Sequence, residues 1–212
     1  MDEPLAAPRG LWSYRVDRQR ALVGGATSEG GNVYAWLRSV LHLPPDDELE
    51  AALAQGEADT HGLTVLPFLA GERSPGWRSE RRATISGLSL DTTALDIVRA
   101  GLEAVALRLA AVYGLLAPLA APRHTVVASG GALHSRAWAQ MIADALGRPL
   151  TLSAEEEATS RGCALLALQS LGRLPDLGAA QAPLGVTVEP DPRRHARYRD
   201  ALERQRRLDA KV

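Results

Sequence analysis

Residues 126–149 read VVASGGALHSRAWAQMIADALGRP, and the parsing of that stretch decides the fold. Thr125 to Ala128 is a short β-branched strand pattern, and Ser129-Gly130-Gly131-Ala132 is a turn. A helix follows over 135–146, then a strand at Leu150-Thr151-Leu152, then a second helix over 156–171. Strand alternating with helix in this way predicts an α/β domain with crossover helices. Glycines at 130 and 131 let backbone N–H groups approach a phosphate or sugar without interference from a Cβ, and the N-terminus of the next helix favours negative charge. The same pair also serves an ordinary tight strand-to-helix turn. No GxGxxG is present to mark a dinucleotide fold.

Upstream, residues 11–23 alternate about Asp17-Arg18-Gln19 and predict a hairpin. Two glycine pairs, Gly24-Gly25 and Gly30-Gly31, bracket a loop leading to a helix with Val33, Trp36, Leu37, Val40 and Leu41 on one face. Pro44-Pro45 stops that helix. Asp46, Asp47 and Glu48 open the next, where carboxylates suit the positive helix end, and Gly56 closes it. Strands are expected at 63–69 and 83–88, separated by a polar loop over 70–82. Thr93 with Asp96 is a capping-box variant ahead of the best helix, where Leu95, Val98, Leu102, Val105, Leu109, Val112 and Leu116 form one apolar stripe. Val186-Thr187-Val188 and an Arg-rich helix over 193–208 complete the chain, read as one domain spanning 1–212.

Composition limits the functions available. With 212 residues, 46% of them hydrophobic, the chain can bury a core. A formal net charge of -1 gives no field to hold a polyanion, so nucleic acid is not expected as a partner. Acidic first residues without an apolar segment do not resemble a signal peptide, and no stretch is expected to cross a bilayer. The single cysteine, Cys163, excludes an intrachain disulfide and a Cys-rich zinc site, and agrees with a reduced, cytoplasmic setting. The only lysine is Lys211, so no lysine chemistry is available in the interior.

Several motifs read more simply than they look. Residues 25–31 have Walker-loop glycine spacing, but Gly31 stands where the lysine belongs. The five histidines lack metal-ligand spacing and read as surface or loop residues, so no metal ligand is assigned. Ser129 and Ser135 lack a GxSxG elbow. Glu155-Glu156-Glu157 suits a helix start, and the C-terminal arginines alternate with acids as on a solvated face. Gly162 lies inside a helix, where glycine costs about 1 kcal/mol against alanine, so either another backbone or a ligand approaches it.

Four blocks together resemble one family: LPFLAGERSPGW at 66–77, ATISGLSLDTTALDIVRAGLE at 83–103, SGGALHSRAWAQMIADALGRPL at 129–150 and EEATSRGCALLAL at 156–168. In this order they resemble the C-terminal half of the FGGY carbohydrate kinases. Ala83, Ile85, Gly87, Leu88, Asp96, Ile97, Ala100, Leu102 and Glu103 fall on fixed positions of that family's C-terminal pattern, while Gly101 departs from it. The GERSP loop and GGNVYAWL at 30–37 look most like the gluconate and xylulose kinase branches, gluconate foremost. The resemblance implies one half of an actin-like, ribonuclease-H-like ATPase fold binding ATP. Gly130, Gly131 and Ala132 then match the adenosine motif, Ser135 falls where a polar side chain near adenine is usual, and Gly162 gains a ligand as its reason.

The departures bear on activity. No Asp-x-Gly-Thr phosphate loop, catalytic-base aspartate segment or Gly-Thr-Ser-Gly loop is found, so no catalytic residue is assigned. Phosphoryl transfer depends on positioning and charge stabilisation that a half-site lacks. The chain therefore reads as a fragment of a phosphotransferase, without the N-terminal domain and inactive alone. Its partners would be ATP or ADP. Mg2+ and most sugar contacts would come through that other domain and the phosphates, and a homodimer is compatible with the reading. The GERSP loop, 71–75, is expected to face the missing domain and to be mobile. A non-catalytic binding or interaction module on the same fold is the alternative.

Overall fold

The structure, a computed structural model, describes residues 7–130 and 134–212. The expected hairpin forms from β1 (Trp12–Arg15) and β2 (Ala21–Gly24), antiparallel, with Trp12 opposite Gly24. The Trp12 ring lies 2.5 Å from where a Gly24 Cβ would stand, so only glycine admits it. Helices α1 (Gly31–Val40) and α2 (Asp46–Gln55) follow, then the antiparallel pair β3 (Thr64–Leu66) and β4 (Thr84–Ser86). After α3 (Ala94–Leu116), the predicted crossover unit appears as β5 (Val126–Ala128), α4 (Arg136–Leu146) and β6 (Leu150–Ser153), with β5 and β6 parallel. Beyond α5 (Ala158–Ser170), β7 (Leu184–Val188) pairs antiparallel with β6, and α6 (Pro192–Asp209) ends the fold.

The core centres on α3. Every residue from Val98 to Arg108 is buried, so the helix is enclosed on all sides over three turns rather than along one stripe. Contacts with α1, α2, α4, α6 and β3 account for this. Residues 94–119 are long and apolar enough by length and composition to span a membrane, contrary to the expectation from sequence. Here, however, Arg99, Glu103 and Arg108 are buried inside the protein with partners, as a soluble core helix demands. The Arg99 guanidinium donates to the carbonyls of Ala52, Leu53 and Gly56 and so satisfies the end of α2. It fills the space a Gly56 side chain would take. Gly101, the departure in the family pattern, leaves room for Leu37 of α1, whose Cδ1 lies 2.8 Å from its Cβ position.

The Thr93 cap forms as predicted. Asp96 N donates to Thr93 Oγ1 at 3.2 Å, and Thr93 N donates to Asp96 Oδ2 at 2.9 Å. The Thr93 hydroxyl and backbone N–H hold the Asp96 carboxyl below its usual range. A depressed carboxyl stabilises the fold above its unfolded pKa and loses that contribution as pH falls through the folded value. Thr93→Ala is therefore expected to cost about 1 kcal/mol at neutral pH. The deficit should shrink as the pH falls below the ordinary aspartate range, which urea unfolding at several pH values measures.

The arginines of α6 lie on a solvated face as expected, Arg193, Arg197, Arg199, Arg206 and Arg207 being exposed, while Tyr198, Ala201 and Gln205 are buried on the other side and Arg204 pairs with Asp59. One expectation is corrected. The GERSP loop is built into the body of the protein. Gly71, Glu72 and Ser74 are buried. Glu72 accepts from Arg78 Nε at 2.6 Å and pairs with Arg108 of α3. Ser74 N donates to the Ala26 carbonyl at 2.7 Å, and Ser74 Oγ accepts from Ala26 N at 2.9 Å. Only Arg73 is left outside, its guanidinium 5.7 Å from the centre of the Trp77 ring. Glu72 therefore finds its charge partners within this chain, not across a cleft.

Candidate functional site

Helices α1, α2, α3 and α4 enclose a cleft of about 350 Å³ at the N-terminal end of α4. Its apolar walls are Leu49 and Leu53 from α2, Leu102 from α3 and Trp138 from α4. Tyr34, Asp46, Glu50, His134 and Ser135 supply its polar groups. Trp138 is fixed by its indole N–H, which donates to the Leu102 carbonyl at 3.1 Å. The Tyr34 hydroxyl donates to Asp46 Oδ1 at 2.7 Å, and burial together with that carboxylate pushes its pKa up. Asp46 also faces Arg38 at 3.3 Å.

Ser135 caps α4, its Oγ accepting from Trp138 N at 3.0 Å and donating to Glu50 Oε2 at 2.7 Å. Glu50 Oε1 accepts from Ala137 N at 2.8 Å. The first turn of α4, expected to favour a ligand's negative charge, thus already holds a protein carboxylate. This corrects the simplest phosphate-binding picture. An anion reaching this end of the domain would meet Glu50 rather than free N–H groups.

Gly130 and Gly162 lie elsewhere. Gly130, just past β5, has φ +73, and no atom of the described residues comes within 4 Å of where its Cβ would point. Gly162, in α5, is likewise open, so within the described residues no backbone packs on it. Neither lines the cleft. Gly131 and Ala132 lie outside the described residues. Of the site residues read from sequence, Ser135 alone is placed in the cleft, beside Gly31, Tyr34, Asp46, Glu50 and Trp138, which that reading did not select. Asp46 and Glu50 are four apart and so share one face of α2. Sequence shows that shared face but not that it meets α4.

A second cluster brings carboxylate and imidazole atoms of Asp59, His61 and Glu103 within 4.8 Å of one another. His61 lies in the loop before β3, within its reading as a surface or loop histidine, but its side chain is only 4% exposed. Its Nδ1 accepts from Leu63 N at 3.0 Å, so Nε2 carries the proton and donates to Glu103 Oε2 at 3.0 Å. Asp59 pairs with Arg204, and Arg99 stands 3.7 Å from Glu103. Both ring nitrogens and both carboxylates are thus engaged, and this donor set does not fit a divalent cation. It is a buried junction tying α3 to α6.

A model described as the C-terminal domain of the FGGY family of carbohydrate kinases matches residues 2–171. A gluconokinase of Bacillus subtilis is 26% identical over 98% of this chain and 42% of its own length. A glycerol kinase of Polaromonas naphthalenivorans is 37% identical over 70% of this chain and 31% of its own. The gluconate kinase structure from Lactobacillus acidophilus superposes with a TM-score of 0.86 at 25% identity, over 99% of this chain and 44% of that one. The chain spans less than half the length of each of these relatives.

Proposed function

The chain belongs to the FGGY family of carbohydrate kinases, whose C-terminal, actin-like ATPase domain it carries, and from that premise we propose that it acts as the nucleotide-binding domain of an ATP-dependent sugar kinase. The substrate is a sugar or polyol hydroxyl. Gluconate is the preferred acceptor, supported by the match to a gluconokinase along nearly the whole chain. ATP or ADP is the partner of this half, working in the cytoplasm as a single domain, with Mg2+ and most sugar contacts met through the phosphates and the rest of a longer kinase.

The observation that carries this reading is the cleft at the head of α4. Its apolar walls, with one aromatic face and a few fixed polar groups, suit a purine nucleoside. Its two carboxylates, Asp46 and Glu50, disfavour polyphosphate inside it. The base would enter the cleft beside Ser135, and the phosphates would lie outside. The Gly130-Gly131-Ala132 motif would cradle them, since Gly130 offers positive φ and, among the described residues, open space. Gly162, also open on α5, would face the same ligand.

Millimolar ADP is expected to raise the thermal midpoint of the chain, by mass action on the folded state. Gly130→Val should abolish that shift, because it puts a branched side chain where the phosphates would lie and strains a positive-φ position. The chain on its own should not phosphorylate gluconate, xylulose or glycerol in an ADP-release assay. A parent protein without an ADP shift would overturn nucleotide binding and favour the non-catalytic module on the same fold. Turnover abolished by changing a carboxylate of this chain would overturn the expectation of inactivity.

A further inference from the structure

Glu50 differs from the other carboxylate of the cleft in what holds it. Asp46 has the Arg38 guanidinium at 3.3 Å and the Tyr34 hydroxyl at 2.7 Å. Glu50 is half-buried, and its partners are the neutral Ser135 hydroxyl and the Ala137 N–H. Among the described residues no arginine, lysine or histidine pairs with it. A carboxylate offers about four acceptor sites, and two of these four are filled. The side chain is thus pinned at both oxygens by α4, borders an apolar cleft, and keeps acceptor capacity that no group of the described residues uses. A ligand that brings an N–H or O–H donor into that space is rewarded, because a charge-assisted hydrogen bond in a partly dry site is stronger than a neutral one. A ligand that brings an acceptor or an anion there is penalised.

We infer that Glu50 is a specificity determinant of the cleft, accepting a hydrogen bond from a donor on the nucleoside part of the nucleotide. The inference rests on the nucleotide reading of the cleft. Two donors of adenosine have the required chemistry: the exocyclic amine of the base and the hydroxyls of the ribose. Both are donors, and both disappear in simple analogues. Ser135 then has a defined role. Its Oγ–H orients Glu50 while its lone pair caps α4, so the residue matched to the family motif acts through its neighbour.

The experiment compares adenosine, purine riboside, which lacks the amine, and 2′,3′-dideoxyadenosine, which lacks the hydroxyls. Each is titrated by calorimetry against the parent chain and Glu50→Gln. Glutamine keeps the length and can still accept from Ala137 and donate to Ser135, so the helix cap survives, and urea unfolding checks that it does. Glu50→Gln should weaken adenosine about tenfold, as expected for losing one charge-assisted hydrogen bond. It should leave unchanged the affinity of whichever analogue lacks the donor that Glu50 accepts, and loss of the penalty with one analogue identifies that donor. An equal penalty on all three nucleosides would overturn the inference, since Glu50 would then act only by holding α4. Unchanged adenosine affinity in Glu50→Gln would overturn it too. A parent that binds neither adenosine nor ADP would instead bring down the nucleotide reading, and this inference with it.

Discussion

Replacing Glu72 by alanine is expected to destabilise the chain by about 3–5 kcal/mol, the cost typical of removing one partner from a buried ion pair. Glu72 is 3% exposed and stands between two cations: Arg78 Nε at 2.6 Å and the guanidinium of Arg108, itself 5% exposed. Arg78 continues to Asp209 near the end of α6 at 2.5 Å. The network therefore joins three parts of the chain, the 71–78 loop, α3 and the last turn of α6. Removing the carboxylate leaves Arg108 buried with Asp209 at 4.0 Å as its nearest acid and the Phe68 ring 5.0 Å away. Neither replaces a direct hydrogen-bonded pair. Urea unfolding reads the loss, with Arg73→Ala as the control. That residue lies in the same loop but is exposed, and its replacement should stay within about 0.5 kcal/mol. Equal midpoints for Glu72→Ala and Arg73→Ala would mean that the loop is not held by this network.

The same loop shows where the sequence stops being informative. Thr93 and Asp96 are three residues apart, and their cap is a local bond that spacing alone identifies. The crossover unit of β5, α4 and β6 was legible for the same reason, since strand and helix periodicities are local. Glu72, Arg108 and Asp209 are far apart along the chain, and no spacing rule connects them. Charged residues beside glycine and proline therefore read only as a polar loop, and its expected mobility came from the resemblance, which implied a missing domain opposite it. The burial of His61 was hidden in the same way, because its partner Glu103 lies on another element. Glu50 carries no signal in the sequence, because the helix whose N-terminus it serves is α4 and not its own. The all-round burial of α3 was hidden by its arginines and glutamate, which count as polar in a pattern yet are satisfied inside. The family resemblance singled out Ser135 because it rests on matched motifs, not on spacing. It could not show that the Ser135 hydroxyl is already committed to Glu50 and Trp138.

Trp138→Ala is expected to lose about 3–5 kcal/mol of stability, the range for truncating a buried aromatic side chain, and to weaken adenosine binding in the protein that remains folded. Trp138 is 6% exposed and joins the core to the cleft. It packs with Leu102, donates its indole N–H to the Leu102 carbonyl, and presents a wall to the cavity. Its backbone N–H is also the one that Ser135 caps. Alanine would leave a void between α3 and α4 and open the cleft into it, so a nucleoside would lose its aromatic face while the pocket grew wider. Trp138→Phe separates the two effects. It keeps a ring against the cleft but drops the N–H donor, and should cost about 1–2 kcal/mol, mainly for the hydrogen bond to Leu102. Thermal unfolding with and without adenosine gives both readouts for each variant. If the cleft is the nucleoside site, the ligand-induced shift should fall steeply in Trp138→Ala and only slightly in Trp138→Phe. An unchanged shift in a destabilised Trp138→Ala protein would leave Trp138 a core residue and move the nucleoside elsewhere. Since one indole holds α3 against α4 and also bounds the cleft, bound nucleoside should slow amide exchange in the first turn of α4 more than in the β1–β2 hairpin, which shares no residue with the cleft.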